Sequence, residues 1–194
     1  MINAVILAAG SSSRLGRPKQ NLEYRGRTLL QQAIACAGNI AEKVLVVLGA
    51  NEDLIAATFD NAGAEIISNP GWQEGMASSI RVAITYLEKK YPVTSHVILM
   101  VCDQPFVSAD FLEELKSTAM NTGKGITATA YGDTVGVPVI FSSAYFSALR
   151  ELTGDEGAKA ILKINYHDLV QVTFKQALID IDTETDYQHL LGSE

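Results

Sequence analysis

Apolar positions along this chain come in two rhythms, and their alternation predicts the architecture. Asn3–Leu7, Lys43–Leu48 (KVLVVL), Glu65–Ser68 and Ser95–Val101 (SHVILMV) are short and almost uninterruptedly apolar, as strands buried on both faces are. Between them lie segments of helical composition at Leu29–Ala37, Glu52–Phe59, Ala77–Lys89 and Ala109–Thr118. Within Ala77–Lys89, Ile80, Ala83, Ile84 and Leu87 recur at spacings of three and four, which puts them on one helix face. Asn51 is placed to cap the second helix. Strands alternating with helices predict an α/β protein, a three-layer α/β/α domain around a mostly parallel sheet.

After about residue 125 the rhythm changes. Ile126–Tyr131 and Val137–Phe141 flank a glycine-containing turn and predict a small antiparallel excursion in the C-terminal half. Helices at Ala144–Leu149 and Ala158–Ile164 and a strand at Leu169–Thr173 follow. A short strand at Ile179–Asp182 leads into a last helix from Thr183, where Thr183 and Asp186 have the spacing of a capping box. No repeat or long linker divides the 194 residues, so 1–194 reads as one domain.

Hydrophobic residues make up 47% and charged residues 19%, enough apolar material for a two-sided core. The formal charge of −7 argues against a nucleic-acid binder, whose affinity would rest on Lys and Arg against phosphates. Cys36 and Cys102 match no zinc or disulfide spacing and predict buried free thiols in a reducing compartment. The N-terminal apolar run is too short to span a bilayer and no basic segment precedes it. A cytoplasmic protein without a membrane partner is the expectation.

The candidate chemistry begins where the first strand stops, in Val5-Ile-Leu-Ala-Ala-Gly-Ser-Ser-Ser-Arg-Leu-Gly-Arg-Pro-Lys-Gln20. In open parallel sheets the ligand crevice lies beyond the carboxyl ends of the strands. Ala8, Ala9 and Gly10 let a ligand approach the backbone there, while Arg14 and Lys19 add the cationic donors a triphosphate requires. The loop fits neither G-x-G-x-x-G nor a P-loop: Ser12 stands at the second fingerprint glycine, and Leu15 at the second P-loop glycine. Taken alone it also reads as a solvated strand-to-helix connection. Two carboxylates follow strand ends, Asp103 in Cys102-Asp-Gln-Pro105 and Asp182 in Asp180-Ile-Asp-Thr183. Each reads either as a turn or helix-start residue or as one of two ligands for Mg²⁺ against a bound nucleotide. Asn69-Pro-Gly-Trp-Gln-Glu-Gly-Met-Ala-Ser-Ser79 reads as a capped connection with Trp72 as an apolar lid, or as a binding loop with hydroxyls at a helix start. His96, His167 and His189 fall outside every motif, and no G-x-S-x-G nucleophile elbow occurs.

LAAGSSSRLGRPKQ resembles the signature L-A-A-G-x-S-x-R-x-G-x-x-K of the MobA-like nucleotidyltransferases, most closely their molybdenum cofactor cytidylyltransferase branch. Further likeness lies in D-x-P at Asp103, D-x-D-T at Asp180–Thr183 and N-x-x-W-x-x-G-M-x-x-S from Asn69. Gly136-Val-Pro-Val-Ile-Phe141 and Leu152-Thr-Gly-Asp-Glu-Gly-Ala158 add two more matches, though Gly154 and Gly157 read equally as plain loop glycines. The resemblance implies a Rossmann-like nucleotidyltransferase fold, with a nucleotide-binding half over about 1–110 and an acceptor-binding half over about 111–194. It implies Mg²⁺, or Mn²⁺ in its place, on Asp103 and Asp182, with Asp180 structural or an indirect neighbour. Lys19 and Arg14 would stabilise charge as pyrophosphate leaves. Leu7, Ala8, Ala9, Gly10, Ser12, Gly75, Ser78 and Ser79 would hold the nucleotide with Arg14, Lys19 and Asp103. CTP would be the donor and molybdopterin the acceptor, with a molybdenum hydroxylase of the xanthine dehydrogenase type receiving the product. Guanylyltransferase relatives carry Ala-Gly-Gly, so the Ala9 methyl favours CTP over GTP. The sequence departs from the pattern at Leu15, where methionine is usual, and at Glu184-Thr185, where Pro-Glu is common. A sugar or alditol phosphate acceptor, or a nucleotide-binding chaperone without turnover, are the alternatives.

Overall fold

The opening apolar run becomes an interior strand of a seven-stranded sheet. A computed structural model describes residues 1–58, 63–155 and 157–192. Its first half runs β1 (Ile2–Leu7), β2 (Glu23–Tyr24), β3 (Arg27–Thr28), α1 (Leu29–Gly38), β4 (Lys43–Leu48), α2 (Glu52–Ala56), β5 (Ala64–Ser68), α3 (Met76–Lys90) and β6 (His96–Val101). The second half runs α4 (Ala109–Thr122), β7 (Ile126–Tyr131), β8 (Thr134–Ser142), α5 (Phe146–Arg150), α6 (Lys159–Ile164), β9 (Leu169–Thr173) and α7 (Glu184–Leu191).

The sheet order is β5-β4-β1-β6-β8-β7-β9, and β8 alone runs against its neighbours. Because strand side chains alternate between faces, β1 splits its residues between two cores. Ala4 and Ile6 pack with α1, α2 and α4, while Val5 and Leu7 pack with α3, α5 and α6. The predicted face of α3 is buried as its spacing requires, with Ile80, Ala83, Ile84 and Leu87 all at 0% exposure. The chain builds β4 and β5 on one side of β1, then returns through α3 to place β6 on the other. That reversal opens a crevice beyond the carboxyl ends of β1 and β6.

Several expectations need correction. Asn51 adopts a left-handed backbone, φ 58°, and its side chain makes no cap bond to α2; it reaches instead toward the Ser11 carbonyl, 3.5 Å away. That helix closes at Ala56, and Phe59 lies outside the described residues. Ile179–Asp182 forms no strand. Its one backbone link to the loop after β6 is Ile181 N–H donating to the Asp103 carbonyl at 3.0 Å, and a single bond is not a ladder. Cys36 is half-buried, its thiol against the Val107 carbonyl, whereas Cys102 is buried as predicted. The Thr183–Asp186 capping box forms, with both reciprocal bonds present.

The β2–β3 hairpin, whose turn residues Arg25 and Gly26 both have positive φ, was not legible in the sequence. It encloses a third cluster in which Leu15, Leu22, Tyr24 and Leu29 pack against Ile181 and Leu190. This cluster docks the C-terminal segment onto the loop after β1. It is why residues near 182 meet residues near 19.

At the far edge of the sheet, Glu65 on β5 accepts hydrogen bonds from Lys90 at 2.8 Å, Tyr86 at 2.8 Å and Tyr91, covering an otherwise bare strand edge. Burial pushes its carboxyl up, but these donors outweigh burial and hold it down at about 2. A carboxylate held low stabilises the fold above its ordinary pKa, and that share is lost as pH falls toward the folded value. Glu65→Gln is therefore expected to lower stability at pH 7 and to match the parent more closely as pH drops from 4.5 toward 2, as urea unfolding at both ends would measure.

Candidate active site

The crevice is framed by the loops that follow β1, β4, β5 and β6. After Leu7 the chain stays extended beside β4, with Ala8 N–H on the Val47 carbonyl and Ala50 N–H on the Ala9 carbonyl, each 3.0 Å. It then turns through Ser12, whose φ of 52° is left-handed and whose hydroxyl accepts the Lys19 amide at 3.1 Å. Gln20, 1% exposed, donates from Nε2 to the Ala8 carbonyl at 2.7 Å. Both ends of the loop are thereby pinned to its own start, which fixes where the Lys19 side chain departs.

Lys19 Nζ bridges two carboxylates that are far apart in sequence. It donates to Asp103 Oδ2 and, at 2.8 Å, to Asp182 Oδ1. Arg14 Nη2 donates to the other oxygen of Asp182 at 2.6 Å. Burial pulls the Lys19 ammonium down, but the charge and hydrogen bond of Asp103, joined by Asp182, outweigh it and raise its pKa well above the ordinary lysine value. Burial pushes the Asp182 carboxyl up, and Lys19 with Arg14 reverses this and holds it below the usual range. Asp180 goes the other way, raised by burial and by the repulsion of Asp103 and Asp182. Three carboxylates thus share two cationic side chains, and the excess negative charge suits a further cation.

The donor set fits a hard divalent ion. Asp103 and Asp182 supply oxygen ligands that already converge on one positive charge. Among the described residues no three His, Cys, Asp or Glu side chains group closely enough to hold a metal unaided. Two carboxylates completed by phosphate oxygens and water is the arrangement Mg²⁺ ordinarily takes.

Two cavities meet at this cluster. The first, about 390 Å³, is lined by Leu7, Ala8, Ala9, Gly10, Lys19, Gly75, Ser79 and Asp103 of the predicted residues, together with Gln20, Trp72 and Asp155. The second, about 360 Å³, is lined by Gln104, Tyr131, Gly136, Lys159 and Asp180 among others, and shares Met76, Val101, Asp103 and Asp155 with the first. Asp103 therefore stands in the wall common to both. Three predicted nucleotide residues do not line the first cavity. Ser12 spends its hydroxyl on the Lys19 amide. Arg14 sits outside the wall on Asp182 with its side chain 69% exposed. Ser78 is buried, its hydroxyl donating to the Gly75 carbonyl at 2.8 Å and accepting from Asn69.

Gln20, Asn69 and Asp155 lie within the quoted motifs, but the sequence reading gave none of them a role at the site. Asn69 donates to both Ser78 and Ser79 and accepts from the Gly71 amide at 3.0 Å, so it sets the shape of the loop before α3. Its signal was available as a polar residue closing an apolar strand. Gly75 is required twice over. Its φ is 115°, and a Cβ there would lie 2.7 Å from the Gly154 carbonyl oxygen and 2.0 Å from Asp155 Oδ1. Gly75→Ala is expected to destabilise the fold by about 1–3 kcal/mol through backbone strain, read by urea unfolding, and to distort the wall that both cavities share.

This arrangement belongs to the α/β nucleotidyltransferase class. The chain is a member of the MobA-like NTP transferase family, whose domain model matches residues 4–172 and stops short of Asp180 and Asp182. It is 30% identical to a nicotine blue oxidoreductase of Paenarthrobacter nicotinovorans, over 98% of this chain and 96% of that one. It is 24% identical to the molybdenum cofactor cytidylyltransferase of Escherichia coli K12, over 96% and 93% of the two chains. Among solved structures, Rv0371c of Mycobacterium tuberculosis H37Rv matches with a TM-score of 0.86 and 31% identity over 98% of this chain and 97% of that one. The same protein in complex with manganese matches with a TM-score of 0.81 and 28% identity, over 100% and 99%. No helix among the described residues is long and apolar enough to cross a membrane.

Proposed function

We propose that this protein transfers CMP from CTP to the terminal phosphate of the molybdenum cofactor, releasing pyrophosphate, with a divalent metal held by Asp103 and Asp182. The observation that carries the reading is the Lys19 bridge to Asp103 and Asp182 at the junction of two adjoining cavities. The first cavity would take the nucleotide, largely from the half of the chain before about residue 110, and the second the acceptor, largely from the half after it. Bound Mg²⁺, or the Mn²⁺ seen with the mycobacterial relative, would neutralise phosphate charge.

The residues themselves supply position and electrostatics, with no covalent intermediate. Nucleotide entry would draw Lys19 Nζ from its carboxylates toward the α-phosphate, where it stabilises the charge that builds as an acceptor phosphate oxygen bonds to phosphorus and the bond to the leaving pyrophosphate breaks. Arg14, exposed at the rim, would fold onto the β- and γ-phosphates. Ala8, Ala9, Gly10, Gly75 and Ser79 would line the nucleoside. A high lysine pKa keeps Lys19 protonated throughout the neutral range, so its charge is available at working pH. The product would pass to a molybdenum hydroxylase of the xanthine dehydrogenase type in the cytoplasm.

The likeness to the E. coli cytidylyltransferase supports the cofactor as acceptor, and the oxidoreductase name of the other relative supplies the rival. Pyrophosphate release with CTP, GTP or ATP and Mg²⁺ decides between them, against a panel of molybdenum-loaded molybdopterin, alditol phosphates and sugar phosphates. Release that needs CTP and the pterin together supports the proposal. Release with another phosphate reassigns the acceptor. CTP binding without release under any condition favours a chaperone, and oxidation of added NADH coupled to reduction of an added quinonoid dye, with no dependence on a nucleoside triphosphate, favours the oxidoreductase.

A further inference from the structure

We infer that Trp72, seated on Gly49, forms the wall that fixes the width of the base end of the nucleotide cavity and so selects a pyrimidine; this rests on the nucleotide reading above. The topology separates the two ends of the cavity. Asp103 follows β6 on one side of β1, whereas Gly49 follows β4 on the other, two strand spacings or about 10 Å away. Lys19 and Asp103 hold the charged end. Trp72, whose side chain lies against Gly49, marks the opposite one.

Gly49 is a glycine for reasons of space. A Cβ there would lie 2.6 Å from Trp72 Cβ, 2.8 Å from Trp72 Cγ and 3.0 Å from Ala9 Cβ. Its bare backbone is what lets the indole settle beside the Ala9 strand. The Trp72 backbone is held as well. Its amide donates to the Asn69 carbonyl at 3.2 Å, its carbonyl accepts from Gly75 at 3.1 Å, and Asn69 N–H is anchored on Leu48 at 2.8 Å. Trp72 is thus a fixed wall, packed against the core beneath α3, and not a loose lid. Its indole N–H donates to no group among the described residues, which leaves a donor beside a flat surface at the cavity. One methyl on Ala9 discriminates weakly by size, whereas a rigid indole wall blocks a whole ring.

The test uses calorimetry of CTP and GTP with Mg²⁺, supported by emission of the chain's single tryptophan. Wild type should bind CTP in preference to GTP with a change in emission. Trp72→Ala should weaken CTP about 10-fold and narrow the CTP-over-GTP ratio by a similar factor, and Trp72→Phe should recover most of both. Gly49→Ala should weaken both nucleotides by driving the indole into the cavity. Combining it with Trp72→Gly should bring little further loss, since that change removes both the indole and the Trp72 Cβ that the added methyl would strike at 2.6 Å, leaving only the Ala9 Cβ at 3.0 Å. An unchanged CTP-to-GTP ratio in Trp72→Ala, in protein that still binds CTP, overturns the inference and spares the nucleotide reading. Wild-type protein that binds neither nucleotide overturns both.

Discussion

Lys19→Met is expected to lower the proposed turnover of CTP at least about 100-fold against the parent, the scale set by removing one preorganised donor from a transition state. The substitution keeps the length of the side chain and deletes only the ammonium. Since the backbone of Lys19 is held by Ser12 and its neighbour Gln20 by Ala8, the loop should keep its course. The same change has a second, opposite consequence for metal. Without the ammonium, Asp103 loses its cationic partner and Asp182 keeps only Arg14, so the two acids face each other with less compensation and the fold loses stability. With side chains 15% and 27% exposed, the loss should stay below the about 3–5 kcal/mol of a fully buried pair that loses one partner. Added Mn²⁺ should restore part of that loss in Lys19→Met and do little in the parent, where the lysine already answers the carboxylates. The pH dependence has a definite sign. A lysine whose folded pKa is raised contributes its stability below the ordinary value and loses it as pH rises through the folded one, so the gap between parent and variant should close only in strong alkali. Pyrophosphate release and urea unfolding with and without Mn²⁺ measure both effects.

Asp103→Asn is the other severe change, and its kinetic signature separates it from Asp182→Asn. Each would remove one of the two proposed metal ligands, for which a fall of at least about 100-fold in kcat is expected. Asp103 also stands in the wall between the two cavities, so its variant should raise KM for nucleotide and acceptor alike. Asp182 lines neither cavity among the described residues, and its variant should raise KM for the metal–nucleotide alone. Asp182 has a depressed carboxyl pKa, so its contribution to stability is present above its ordinary pKa and fades as pH falls through the folded one. Asp182→Asn should accordingly flatten the acid limb of the stability profile. Intact turnover in Asp103→Asn would show that the metal assignment is wrong.

What could be read in advance divides by how local the signal is. β1 and β6 were legible because a strand covered on both faces has no polar side to interrupt it. The α3 face was legible because its spacing of three and four repeats over four residues that prove fully buried. The α7 start was legible because a capping box is a contact between residues three apart. β2 and β3 were not, since two residues carry no period. Nor did the sequence show what brings Asp182 to Lys19, 163 positions away. The motifs named both residues, but the reason they meet is Ile181 in the cluster under the β2–β3 hairpin, a packing fact with no local trace. Asn51 failed as a cap because its left-handed backbone, unremarkable in sequence for an asparagine, aims the side chain at the opening loop.

The most direct test is a crystal of the wild-type protein grown with Mn²⁺ and a non-hydrolysable CTP analogue, with the metal located by anomalous scattering. One ion bonded to carboxylate oxygens of both Asp103 and Asp182 and to the triphosphate is expected, with Lys19 moved from the acids to the phosphates. A metal–nucleotide bound elsewhere, with Lys19 still bridging the two aspartates, would contradict the metal assignment.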